Sequence, residues 1–151
     1  MLDARLCIRR TRAGEVIVRV PCGEGLRVAP SRIPAAGEGL YAARAYGCGE
    51  LIAVYTGTPL RTLGALRLPD KSYLMRLGPQ CYIDARKHRG VLARYINDAC
   101  DPARQNVVFE KHEEQRCALV IAARAIDEGE ELYVDYGKWY WAARGRGNTP
   151  Q

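Results

Sequence analysis

Residues 126–141, IDEGEELYVDYGKWYW, decide how the rest of this chain is read. Gly129 sits in an acidic turn, Asp127-Glu128-Gly129-Glu130. A β-prone run follows, Leu132-Tyr133-Val134-Asp135-Tyr136, and stops at Gly137. Glycine adopts backbone conformations that other residues avoid, so one on each side predicts a short strand that ends abruptly with Tyr136 at its tip. Alone, the pattern also fits an ordinary edge strand with a surface tyrosine. A second stretch upstream shifts the balance: residues 93–102, ARYINDACDP, followed by Asn106. An Asn-Asp pair closing a helical turn caps and turns the chain. A capping role for one of the two leaves the other able to meet a ligand.

Composition bounds the rest. The 151 residues are one domain's worth of chain, 48% hydrophobic and 26% charged, an ordinary globular mixture. No apolar run approaches the roughly 20 residues that cross a bilayer, and no long apolar block follows the basic N-terminus as a signal peptide requires. Cysteines 7, 22, 48, 81, 100 and 117 lie far apart, with no CxxC. This disfavours a zinc site and a compact disulfide framework, and predicts reduced thiols in an intracellular protein. Residues 97–137 hold ten acidic against four basic residues, a net −6. The remainder holds nineteen basic against seven acidic, +12. Such asymmetry predicts two electrostatic faces, one suited to a cationic partner and the other to an anionic one, nucleic acid included.

In chain order, residues 5–10 and 15–20 alternate apolar and polar around Thr11-Arg12-Ala13-Gly14, a hairpin signal. Residues 26–29 predict a strand before Pro30. In Gly37-Glu38-Gly39 the glycines predict a tight turn whose bare N–H and C=O groups approach a ligand, although a lone GxG is more often only a turn. Strands are expected at 50–55, 72–77, 81–84, 106–110 and 117–122, with a helix or loop at 60–68 and a helical turn at 91–96. Short strands at regular turn signals predict a compact, mostly β domain.

Read together, these motifs resemble the SET-domain protein lysine methyltransferases. The resemblance covers about residues 37–140, in the family's order and spacing. Gly37-Glu38-Gly39-Leu40-Tyr41-Ala42 resembles its N-terminal glycine motif, and Ala53-Val54-Tyr55-Thr56-Gly57 the strand that follows. Ser72-Tyr73-Leu74 and Ile83-Asp84-Ala85 resemble the middle strands. Arg94-Tyr95-Ile96-Asn97 resembles the asparagine motif, and Gly129-Glu130-Glu131-Leu132 through Asp135-Tyr136-Gly137 the terminal signature. The resemblance implies a β-clip, SET-like fold with a few short helical turns and a C-terminal segment threaded under a loop, an exception to the rule against threaded chains. It implies a lead-in hairpin over 1–35, the SET-like domain over 36–141, and a short basic disordered tail over 142–151.

It also implies the chemistry. S-adenosylmethionine is the donor, held by the main chain around Gly37, Glu38, Gly39 and Leu40, by Asn97 and Asp98, and by Arg94 and Tyr73. Tyr136 sits at the methyl-transfer point. In-line displacement asks the protein to align two partners more than to supply a nucleophile. The lysine must arrive neutral, against a free pKa of about 10.4, and an apolar channel beside a sulfonium lowers it. Tyr55, Tyr73 and Tyr136 are the candidate catalytic aromatics, with Tyr133 and Trp139 as further channel candidates; their faces hold a methylated ammonium by cation–π attraction. Phe109 and Val134 are candidate channel walls. Neither anchors a water in the methyl space, which points to di- or trimethylation. No metal site is expected.

The chain also departs from the family's pattern. Asp98 stands where the family has histidine, Ala99 where serine is common, and Ala103-Arg104-Gln105 intervene before Asn106. No cysteine follows Cys117 to join Cys100 in a zinc site, and Trp139, Tyr140 and Trp141 are expected to close the pocket as an aromatic lid instead. Three readings stay open: an active lysine methyltransferase working on a basic tail, a histone tail above all, and then nuclear; a SET-like binding module with weak catalysis; and a small β domain that binds nucleic acid through a basic face.

Overall fold

The computed structural model describes residues 6–19, 21 and 23–142, and among these every side chain except those of Leu6, Cys7, Arg10, Trp139 and Ala142. The expected tail over 142–151 therefore falls outside the described residues, apart from the backbone of Ala142. In chain order the strands are Leu6–Thr11 (β1), Gly14–Arg19 (β2), Leu26–Pro30 (β3), Glu38–Ala42 (β4), Leu51–Tyr55 (β5) and Thr58–Leu60 (β6). The short helix Thr62–Leu66 (α1) follows, then Leu74–Gly78 (β7), Cys81–Asp84 (β8) and a 3-10 turn over Leu92–Tyr95. Val107–His112 (β9), Cys117–Ala122 (β10) and the helix Lys138–Ala142 (α2) complete the order. The domain is mostly β, as expected.

The strands form four small sheets, ordered β1-β2, β3-β4, β6-β8-β7 and β5-β10-β9. The predicted hairpin is β1-β2, paired antiparallel from Leu6↔Arg19 to Thr11↔Gly14. Thr11 Oγ1 clips its loop by donating to the Gly14 carbonyl and accepting from the Ala13 N–H. Gln115 adds a side-chain rung, accepting from the Ile8 N–H at 2.8 Å and donating to the Ile8 carbonyl at 3.0 Å. Pro59 has no N–H to give a ladder and is tolerated because β6 is an edge strand. The continuous apolar run CALVIA of β10 is buried at all six positions, as suits the central strand of its sheet.

The described residues fall into two compact units, one drawn from within the ranges 1–24, 51–94 and 110–120, the other from within 25–50, 95–109 and 121–151. The first packs Ile52, Ala65, Ile83, Ala93 and Leu119 in its interior, and the second Leu40, Ile96, Val107, Ile126 and Leu132.

Two expectations need correction. Residues 38–42, read as part of a glycine turn, form β4, antiparallel to β3 from Leu26↔Ala42 to Pro30↔Glu38. The run Leu40-Tyr41-Ala42 is buried, and only Gly37, at φ +74, marks the corner before the strand. Conversely, residues 132–136 are not a regular strand. Glu131 and Tyr133 make isolated bridges, Tyr41↔Glu131 antiparallel and Asn97↔Tyr133 parallel. The Leu132 N–H donates to the Leu40 carbonyl and the Val134 N–H to the Asn97 carbonyl. The segment thus meets a different neighbour on each side, at one bridged pair apiece.

Candidate functional site

In the second unit the terminal signature and the asparagine motif meet. Tyr136 donates its backbone N–H to Asp98 Oδ2 at 3.0 Å, and its hydroxyl donates to the Ile96 carbonyl. Tyr140 lies 4.5 Å from the Tyr136 ring, centroid to centroid, and Trp141 stacks on it at 6.0 Å. The Trp141 indole N–H donates to the same Asp98 Oδ2 at 2.9 Å, while Asp98 Oδ1 takes the Cys100 N–H at 2.7 Å. Cys100 adopts a left-handed backbone, φ +53, to close this turn. Val134, expected to line the channel, is buried nearby in sequence, with its N–H on the Asn97 carbonyl. Phe109 is half-buried in β9. Trp139 belongs to α2, but its side chain lies outside the described ones.

The glycine motif has a more structural character than its sequence suggested. The Gly37 carbonyl accepts from the Ser31 N–H, the Glu38 carbonyl from Asn97 Nδ2 at 2.9 Å, and the Leu40 carbonyl from the Leu132 N–H. These three acceptors thus already have protein partners. Asn97 is thereby tied to Glu38, so the two cofactor-binding candidates from distant motifs adjoin. A Cβ on Gly39 would lie 2.2 Å from Glu131 Oε1. The glycine makes room for a buried carboxylate.

That carboxylate was missed as a site organiser. Glu131 is 2% exposed, accepting from Ser31 Oγ at 2.6 Å, the Arg32 N–H at 2.8 Å and the Tyr133 hydroxyl at 2.7 Å. Burial alone would raise its pKa. Hydrogen bonds from Ser31, Tyr133, the Arg32 backbone and Asn97 more than offset that, and hold it below the usual carboxylate range. Desolvation and the neighbouring Glu131 push the Tyr133 phenol up to about 12, against a weaker opposing pull from Arg104. The signal available in the sequence was period two: in Glu130-Glu131-Leu132-Tyr133, Glu131 and Tyr133 share a side, while Glu130 turns to Arg124. Asn106 was noted only for its spacing. It is fully buried, donates Nδ2 to the Glu131 carbonyl at 2.9 Å and accepts the Tyr133 N–H on Oδ1 at 2.8 Å.

The first unit brings together the other three candidates. The Tyr55 hydroxyl donates to the Tyr73 carbonyl at 2.7 Å, and the Arg94 guanidinium lies 4.1 Å over the Tyr73 ring. Arg94 Nη1 donates to the carbonyls of Ala85 and Arg86, which aims the guanidinium. Among the described residues no group of three or more His, Cys, Asp or Glu could hold a metal ion, and no helix is long and apolar enough to cross a membrane.

The SET domain model matches residues 7–137. Over 120 residues the chain is 38% identical to histone-lysine N-methyltransferase set-2 of Caenorhabditis elegans, covering 74% of this chain and 8% of that protein. It is 35% identical over 106 residues to an H3 lysine-4 specific histone-lysine N-methyltransferase of Yarrowia lipolytica, covering 65% and 9%. With histone-lysine N-methyltransferase 2B of Homo sapiens the figures are 32% over 111 residues, 66% and 4%. The chain thus spans less than a tenth of the length of each of these three. With the terminal signature, the asparagine motif and the glycine motif all placed in one fold, this chain belongs to the SET-domain family.

Proposed function

We propose that this chain is a protein lysine N-methyltransferase that uses S-adenosylmethionine and acts on a lysine in a basic tail, a histone tail above all, in the nucleus. The observation that carries the reading is Tyr136. It lies in the terminal signature of a SET domain, with its N–H held by Asp98 and its hydroxyl proton committed to the Ile96 carbonyl. A phenol whose proton is so engaged presents only lone pairs to a third group, which suits a positively polarised methyl through weak C–H···O contacts.

The groups around Tyr136 fit a cation: the Asp98 carboxylate, a main-chain carbonyl and two further aromatic rings. S-adenosylmethionine supplies an electrophilic methyl on a cationic sulfur. In this reading Asn97, Asp98 and the main chain of residues 37–40 hold the donor beside Tyr136. Tyr136 and the rings beside it supply faces that accept a methylammonium and disfavour a charged incoming lysine by desolvating it. Val134 and Phe109 wall the channel without a hydroxyl, so two or three methyl groups fit. The pairing of residues 131–134 with both β4 and Asn97 supports a threaded C-terminal segment.

A second reading draws on Asp98. Both of its oxygens are taken by protein donors, so it contributes less to a ligand than the family's histidine, as expected of a SET-like binding module. Incubation with labelled S-adenosylmethionine and a panel of histones decides. Methyl transfer that falls about 100- to 1,000-fold in Tyr136→Phe supports the enzyme. Thermal stabilisation by the donor without transfer supports the module. Steeply salt-dependent DNA binding without a donor effect overturns both.

A further inference from the structure

Three N–H donors from three parts of the chain converge on one buried carboxylate. Asp98 takes the Cys100 N–H from its own turn, the Tyr136 N–H from the terminal signature and the Trp141 indole N–H from α2. The residue type follows from that count. A neutral imidazole offers one acceptor nitrogen and a carboxamide one acceptor oxygen beside an NH2 donor; only a carboxylate offers acceptors on both sides and no donor. Helix α2 has five residues, far below the length at which a helix persists alone in water. What fixes it is tertiary: the indole hydrogen bond, and the stacking of Tyr140 and Trp141 on the Tyr136 ring and edge-on to each other at 5.1 Å.

We propose that Asp98 is a positioning residue that latches the C-terminal aromatic helix onto Tyr136, so that the phenol and the lid are ordered together by one carboxylate. The inference rests on the methyltransferase reading for its effect on turnover, but the latch itself does not. The substitution that looks like a lost donor contact is then the anchor of a closing element built from the same chain. Tyr136 and α2 hang from the same oxygen, so loosening one loosens the other.

The test uses the full chain with Asp98→Asn, Trp141→Phe and the double variant. Backbone hydrogen exchange over 138–142 is read by mass spectrometry, and donor KM and kcat are read separately. Trp141→Phe keeps an aromatic ring and removes only the indole N–H donor and its larger face. A hydrogen bond to a charged group contributes about 1.5–3 kcal/mol net, which corresponds to roughly 10- to 100-fold in the latch equilibrium. Exchange over 138–142 is therefore expected to speed up at least about tenfold in each single variant. The double variant should gain clearly less than the product of the two, because both break one interaction. The KM for S-adenosylmethionine should rise more than kcat falls. Unchanged exchange in Trp141→Phe, or independent effects in the double variant, overturns the latch; Trp141→Phe decides alone should Asp98→Asn fail to fold. A wild-type chain that transfers no methyl group while both single variants speed exchange keeps the latch and refutes the methyltransferase reading.

Discussion

Glu131 shows how one residue organises its unit. A buried carboxylate is costly unless hydrogen bonds replace its hydration, and here a hydroxyl from Ser31, a backbone N–H from Arg32 and the Tyr133 phenol do so. Glu131→Gln removes the charge and turns an NH2 donor toward groups that are themselves donors. The expected loss is about 2–4 kcal/mol of unfolding free energy, read by denaturant titration. The sign of the pH effect follows from the direction of the shift. A carboxylate held below its unfolded pKa contributes stability that is present above that value, about 4.3, and disappears as pH falls through the lower folded one. Stability should therefore drop below about pH 4 in the wild type, with a visibly flatter acid limb in Glu131→Gln. At the other end of the scale, Tyr133, raised to about 12, should ionise after ordinary tyrosines in an absorbance titration. Its contribution is present below pH 10 and lost as pH rises toward 12. Burial also pushes Tyr41 and Tyr46 up, so Tyr133→Phe should shrink that late step by one phenol; a titration in which every phenol ionises near 10 would contradict the buried pair. Gly39 belongs to the same cluster. Gly39→Ala would push a methyl into the Glu131 carboxylate and should cost about 1–3 kcal/mol or more.

At the level of elements, the legible parts of the chain were those whose pattern is local. The alternation in residues 5–20 with Gly14 at the turn gave β1-β2, and the apolar run of 117–122 gave a buried strand, because period and burial are written in adjacent residues. Gly39 was legible as a position that needs glycine but not for its reason, since the atom that fills its missing Cβ comes from Glu131, 92 positions on. Residues 132–136 carried a strand-like composition, yet their partners differ on the two sides, and only tertiary pairing settles that. Helix α2 was not expected at all: the two tryptophans and the tyrosine after Gly137 read as a lid, and the latch proposed to fold them comes from Asp98. Asn106 makes the same point. Its side-chain amide serves as a spare peptide group, with its carbonyl on the Tyr133 N–H and its NH2 on the Glu131 carbonyl, while its own N–H donates to the Tyr133 carbonyl at 3.1 Å. Asn106→Leu is close in volume but orphans two buried main-chain groups. It should destabilise by about 2–4 kcal/mol and speed hydrogen exchange over 131–134, whereas Asn106→Ser should behave no better, because it offers no paired donor and acceptor at that reach.

For the whole molecule, charge divides differently along the chain and between the folded units. Residues 97–137 alone are strongly acidic, but the unit that contains most of them also takes in Arg27, Arg32 and Arg44. Residues 25–50, 95–109 and 121–151 together hold nine acidic and eight basic residues, and residues 1–24, 51–94 and 110–120 hold eight acidic and fifteen basic. Part of the acidic charge is also internally compensated, as Arg44 pairs with Glu50 at 2.7 Å and Arg124 with Glu130 at 2.9 Å. A basic tail would then be drawn mainly by exposed acids such as Asp127 and Glu128, rather than by the net charge of the unit. Attraction between exposed charges is screened over about 8 Å at physiological salt, so its kinetic signature is a modest effect on capture with none on chemistry. Raising ionic strength from about 0.05 to 0.3 M is expected to raise the KM for a basic-tail peptide roughly two- to fivefold and leave kcat unchanged. Asp127→Asn with Glu128→Gln should raise KM at low salt and flatten that dependence. Steady-state kinetics on one peptide at several salt concentrations checks both, and a KM that ignores salt and the two substitutions alike would remove the acidic segment from substrate capture.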